Sequence, residues 1–225
     1  MSRHLVVGAG EVGTAVHAVL SQEHPAELRD LSPVDTRCDV LDICFPPFEG
    51  FTDAVHGYVR EHGAGLVVVH STVPVGTCDA HGWVHSPIRG RHPDLSEGVS
   101  TFVKHFGGSR ADEAAADWEA LGVRTRTHDR AADIEAGKLW ELVQYGVQIR
   151  VEKEIHAWCV ERGLDPDVVY REMALSYNRG YQKLGYEQFT RPVLDHVPGP
   201  IGGHCVVPMS HYLDHPLSTI VREGL

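Results

Sequence analysis

Positive charge is scarce in this chain. Its 225 residues carry 20 Lys and Arg against 31 Asp and Glu, a formal net charge of −11. Phosphate backbones are bound by clustered Lys and Arg, so this balance argues against a nucleic-acid surface. Long apolar runs are missing too. No stretch approaches the ~18 apolar residues that cross a bilayer, and no membrane partner is expected. The chain enters a strand-like run within a few residues of Met1, so no signal peptide is expected. Paired cysteines are absent. Cys38, Cys44, Cys78, Cys159 and Cys205 are odd in number and irregular in spacing, which fits free thiols in a reducing cytoplasm. The spacing of Cys78, His81 and His85 fits zinc, but no fourth ligand is evident and no metal is assigned.

What is present begins with Leu5-Val6-Val7-Gly8-Ala9-Gly10-Glu11-Val12-Gly13. An apolar run feeds glycines spaced G-x-G-x-x-G, and an amphipathic run follows. Strand, tight turn and helix in that order form a dinucleotide fingerprint. Gly8 serves the turn, Gly10 lets backbone approach a pyrophosphate, and Gly13 lets the helix pack against the strand. Glu11 and Val12 open the helix, whose N-terminal N–H groups suit phosphates. Asp30, some twenty residues past the loop, closes a weak strand over 26–31 and suits the ribose hydroxyls. An acid there favours NAD over NADP. Little chain separates Asp30 from the next strand, 38–45, so one βα unit of the usual open sheet is expected to be trimmed away.

That strand ends at Pro46-Pro47, beside the expected cofactor. A helix over 51–62 precedes Leu66-Val67-Val68-Val69-His70, a β-branched run suited to a central parallel strand. The loop after it carries Ser71 and Thr72, expected to face the cofactor from the strand's carboxyl end. Further strands are expected at 83–87, 102–108 and 124–127, with a helix at 111–121. Strands and helices alternating over 1–129 predict a Rossmann-type doubly wound parallel sheet. Beyond it, 130–225 reads as a long helix and a small all-α domain. The helix runs from Ala131 to about Arg162, roughly 45 Å at about 1.5 Å per residue. So small a domain cannot cover it, and a homodimer through 131–162 is expected. Helices follow at 167–176 and 212–221, separated by an aperiodic polar stretch.

Three segments add a resemblance. Ser71-Thr72-Val73-Pro74-Val75-Gly76-Thr77, Glu135-Ala136-Gly137-Lys138-Leu139 and Gly202-Gly203-His204-Cys205 follow the glycine loop in an order similar to the nucleotide-sugar dehydrogenases, which oxidise UDP-glucose or GDP-mannose. These sit within the wider 6-phosphogluconate and 3-hydroxyisobutyrate dehydrogenase superfamily. The resemblance implies an NAD-dependent oxidoreductase acting on an alcohol of a small anionic or sugar-like substrate. Lys138 falls on the family's catalytic lysine, Cys205 on its cysteine nucleophile, and His204 lies beside that thiol. In the family the thiolate traps an aldehyde as a thiohemiacetal, later a thioester, and the lysine steadies the oxyanion. The resemblance places these groups and the nicotinamide in a cleft between the two domains.

The chain also departs from the family. Met209, Leu142 and Ile88 stand where an acid, an asparagine and a glutamate are usual, and the third, nucleotide-binding domain is missing. Ser86-Pro87-Ile88-Arg89-Gly90 resembles instead the substrate loop of the hydroxyisobutyrate branch. There a single oxidation uses the lysine alone. Arg89 and Arg91 suit a carboxylate or phosphate, and Tyr177 and Asn178 are expected on the substrate side. A non-catalytic dinucleotide sensor or scaffold remains as a reading of another class.

Overall fold

The computed structural model describes residues 1–90, 95–203 and 205–223. They form two compact units, Met1–Lys138 and Leu139–Leu225.

The first unit is built on seven strands: β1 (His4–Val7), β2 (Ala26–Arg29), β3 (Val40–Ile43), β4 (Leu66–Val69), β5 (Val84–His85), β6 (Lys104–Gly107) and β7 (Thr125–His128). Their order is β2-β1-β3-β4-β5-β6-β7. The first five run parallel. β6 pairs antiparallel with β5 through His85 and Gly107, and β7 runs parallel to β6. The chain passes from β2 to β3 with no helix between them, and β2 is an edge of the sheet. The expected trimming of one βα unit is therefore seen. The helices of this unit are α1 (Glu11–Leu20), α2 (Phe51–His62), α3 (Thr77–His81), α4 (Leu95–Thr101) and α5 (Ala111–Ala120). The seven expected strands are all present, and the short helices α3 and α4 add detail to the outline. The strand expected at 102–108 shortens to four residues, and α4 ends just before it, at Thr101.

Alternation along the strands sorts the core into two layers. Val6, Val40, Val68, Val84 and Phe106 pack with α1, α4 and α5. Leu5, Val7, Leu41, Ile43, Val67 and Val69 pack on the other face with Phe51, Val55, Cys78 and Ala131. Both faces are covered, which is why β1, β3 and β4 are buried at every residue. One polar group interrupts the first layer: Asp42, at the centre of β3, is fully buried. His4 Nδ1 donates to it at 2.7 Å and His70 Nε2 at 2.8 Å. Lys104 Nζ reaches His70 Nδ1 at 3.3 Å and the Ser86 carbonyl at 3.2 Å, beneath the ring of Trp118. A buried carboxylate needs such partners, and here they come from three other strands or strand ends.

Helix α6 (Ala131–Glu161) has 31 residues, and its first two turns belong to the first unit. In the second unit, α8 (Val206–Ser210) and α9 (Pro216–Arg222) close a small core of Val143, Val206 and Val221. These two short helices replace the single closing helix expected over 212–221, and Pro216 opens the second of them. Gly146 lies where α6 meets them: a Cβ there would stand 2.8 Å from Val206 and Val221 side chains. A π-helical turn, Asp167–Glu172, leads into α7 (Met173–Lys183). The helix expected to stop at Ser176 thus continues past Tyr177 and Asn178. Tilted ring contacts of Tyr177 with Tyr181, and of Tyr181 with Phe189, accompany the extension.

Candidate functional site

In an open parallel sheet, ligands sit beyond the carboxyl ends of the strands, where the order reverses. Here the chain leaves β1 for β2 on one side and returns to β3 on the other, so the reversal falls at the glycine loop. The three glycines differ in what they permit. Gly8 has φ 101°, in the left-handed region open to glycine, and its N–H donates to the Arg29 carbonyl at 2.8 Å. A Cβ on Gly13 would lie 1.7 Å from the Gly8 carbonyl oxygen, so α1 packs against β1 only because no side chain is there. Gly10 is the contrast. Its φ is −71°, and a Cβ would meet nothing within 4 Å. Neither local strain nor packing calls for glycine at this position. The missing side chain leaves room for a ligand's close approach.

No side chain at Gly10 caps α1, and the N-terminus of a helix that starts from a glycine loop suits an anion. Asp30, exposed at the end of β2, lies with Oδ1 3.5 Å from the Ala9 nitrogen, beside the loop. A carboxylate there suits a ribose diol and repels a 2′-phosphate. Pro46 is exposed beyond β3, and Ser71 and Thr72 are half-buried beyond β4. Glycine loop, Asp30, Pro46, Ser71 and Thr72 thus follow the ends of four neighbouring strands, and the residues present fit the cofactor.

Lys138 belongs to the same unit. Its Nζ donates to the carbonyl of Ile88, in the loop after β5, at 3.0 Å. Its position is set by two carboxylates. Asp79 accepts from the backbone N–H groups of Ala131 and Ala132 at 2.9 and 3.1 Å, capping α6 from outside. Glu135, fully buried on α6, accepts from Gly76 and Cys78 N–H groups at 2.5 and 2.8 Å. Each helix start is therefore capped by an acid from the other, and the Ser71–Thr77 loop is tied to the turn that carries Lys138. The capping role of Asp79 has no local sequence signal, because its partners are more than fifty residues away.

His85 ends β5 on that same face. Both of its ring nitrogens are buried without a hydrogen-bond partner. Burial, then the nearby His70, Lys104 and Lys138, push its pKa down to about 3, so it is neutral at pH 7. The Cys78, His81 and His85 spacing does not converge. His81 stacks on Trp83 at the surface and meets His56 at 3.0 Å, while Cys78 and His85 lie with Glu135.

Arg89 follows in the β5 loop, with its guanidinium 5.8 Å from the centre of the Phe102 ring. Arg91 and His204 lie outside the described residues. In the second unit Cys205 is half-buried just before α8. Asn178 is used structurally: its amide donates to the Arg191 carbonyl and accepts from the Arg191 N–H, both at 2.8 Å. The Arg191 guanidinium covers the Tyr177 ring at 4.1 Å.

No protein-family model matches the sequence, and no curated protein matches it. Solved structures do match. The UDP-D-ManNAc dehydrogenase of Pyrococcus horikoshii aligns over 98% of this chain and 67% of its own, at TM-score 0.79 and 19% identity. The UDP-N-acetyl-mannosamine dehydrogenase of Staphylococcus aureus aligns over 98% and 66%, at TM-score 0.71 and 18% identity. The 3-hydroxyisobutyrate dehydrogenase of Mycobacterium tuberculosis, solved with L-serine, aligns over 99% and 91%, at TM-score 0.64 and 16% identity. The chain spans about two thirds of the length of the first two dehydrogenases and nearly all of the third. At these identities the likeness is one of architecture, and the chain has the Rossmann-type fold, with a C-terminal helical region, that these dehydrogenases share.

Proposed function

We propose that the protein is an NAD-dependent dehydrogenase that oxidises an alcohol on a small anionic or sugar-like substrate. The observation that carries the reading is the pairing of an open Gly10 with Lys138 on one sheet edge. The glycine loop and α1 hold the pyrophosphate, and Asp30 selects NAD. One structural neighbour, at TM-score 0.59 and 14% identity, was solved with NADP+, so the preference for NAD rests on Asp30 alone.

A bound nicotinamide supplies the hydride acceptor. The chain's own residues do the rest. Lys138, steadied by the Ile88 carbonyl, holds the substrate oxygen and handles its proton. The buried, neutral His85 keeps that end of β5 in a low dielectric, which strengthens the hold of Lys138 on developing negative charge. Arg89 offers a guanidinium for an anionic group. Cys205, in the second unit, is the candidate thiol for trapping the aldehyde carbon in a two-step oxidation.

A single-step reading, with Lys138 and no thiol adduct, is favoured by one observation. The Ser86-Pro87-Ile88-Arg89-Gly90 loop after β5 resembles the substrate loop of the hydroxyisobutyrate branch. We further propose that a second copy covers α6, in the cytoplasm. Val151, Trp158 and Val160 are 50%, 48% and 61% exposed on that helix. A groove of about 480 Å³ runs beside them, lined by Val147, Val151, Ile155, Val169 and Met173.

The test is turnover of NAD with candidate hydroxyacids and sugar alcohols, read at the NADH band. Lys138→Ala is expected to lose at least a hundredfold in kcat. Cys205→Ala loses as much if oxidation runs through the thiol and almost nothing if it is single-step. Tight NAD binding without turnover on any substrate would leave the sensor reading and contradict the enzyme.

A further inference from the structure

The second unit contains a cluster that the dehydrogenase reading does not use. Glu152 and His156 stand one turn apart on α6, a spacing that puts both on one helix face. His196 reaches them from the extended segment after α7, and its Nδ1 lies 3.0 Å from Glu152 Oε1. One ligating atom from each of the three falls within 4.8 Å of the others. They line a cavity of about 180 Å³, together with Asp165, Asp167 and Tyr170. Glu152 is only 4% exposed, so its carboxylate is a buried acceptor facing two imidazoles. The His156 and His196 rings stack at 3.5 Å with 8° between their planes. Arg171, also at the cavity, has its charge taken by Asp195.

We propose that Glu152, His156 and His196 bind a divalent cation of the zinc class. Two imidazole nitrogens and one carboxylate oxygen suit zinc, whereas calcium and magnesium call for oxygen throughout. Zinc held at about 2.0–2.1 Å sets its donors roughly 3.3 Å apart. Rotation of His196 on its extended segment closes the remaining gap and unstacks the two rings. The fourth position falls to water, or to Asp165 or Asp167 across the cavity. The ion would cross-link the segment to α6 where the protein already fastens it: Lys153 Nζ donates to the Val197 carbonyl and, at 2.7 Å, to that of Gly199. That segment leads into Gly202 and Cys205, so the ion would fix the approach to the thiol loop.

The experiment strips the full-length protein with EDTA and titrates zinc chloride against a zinc-responsive chromophore. Zinc retained after gel filtration is counted by elemental analysis. Close to one equivalent per chain is expected, with affinity falling at least tenfold in Glu152→Gln, His156→Ala and His196→Ala. Circular dichroism checks that each variant folds. His196 sits on an exposed segment, so its variant decides the matter if a helix variant fails to fold. A double variant of the surface pair, His56→Ala with His81→Ala, is expected to keep the equivalent. Retention of no zinc overturns the proposal. So does an affinity unchanged in His196→Ala, or an equivalent lost only with the surface pair.

Discussion

Single residues decide where charge is tolerated in this protein. Lys104 is buried, and desolvation pulls its pKa down to about 7, with the neighbouring Cys44 and Asp42 opposing that pull. In the unfolded chain it titrates near 10.4. Between those values the unfolded state binds more protons, so stability is expected to rise with pH from about 7 to 10. His4 works the other way. Burial lowers its pKa, but Asp42 and Asp117 raise it more, so its contribution is present in acid and is lost as pH climbs through its folded pKa. Urea unfolding at pH 7, 8 and 9 checks the balance. Lys104→Met is expected to flatten the alkaline rise, and an identical slope in the variant would contradict the assignment. Part of this was legible beforehand. Asp42 interrupts the apolar run Val40-Leu41-Asp42-Ile43, and a charge in a buried strand must be paired. The identities of its partners were not legible, because the sheet order, not the local sequence, brings His4 and His70 to β3.

Elements with strong periodicity or strong punctuation matched their sequence readings. The valine-rich β4, the glycine loop and the 31-residue α6 are of this kind. Short elements did not. Helices α3 and α8 have five residues each, too few for a period to register. α7 outruns its polar sequence, where tilted ring contacts among Tyr177, Tyr181 and Phe189 override weak local preference. The start of α6 shows the same limit at the site. Its helix was expected, whereas the cap from Asp79 depends on tertiary placement. Asp79→Ala removes the acceptor of two backbone N–H groups and is expected to cost about 1 kcal/mol. That corresponds to a fall of about 2–4 °C in Tm for a chain of this size. Because α6 carries Lys138 in its second turn, kcat should fall as well, with the affinity for NAD little changed. A calorimetric scan and steady-state kinetics on the same preparation read both effects.

At the scale of the whole molecule, the proposed second copy would cover Val151 and Trp158, which stand exposed on α6. A charge placed there acts against a subunit interface far more than against a solvated surface. Sedimentation is expected to give a dimer for the wild type and a monomer for Val151→Glu, with the far-UV spectrum retained. A monomeric wild type would remove the second subunit from the account. The proposed cofactor site does not depend on that outcome, since glycine loop, Asp30 and Lys138 all belong to one compact unit.

The central claim is that this edge binds a dinucleotide, and Gly10 tests it most directly. Alanine at Gly10 has room and an ordinary backbone conformation, so the free protein should keep its Tm within about 1 °C. The same methyl group occupies the space in which a pyrophosphate must approach. Isothermal titration with NAD is predicted to show one site per chain in the wild type and at least a tenfold weaker one in Gly10→Ala. No binding by the wild type, or equal binding by the variant, would contradict the account.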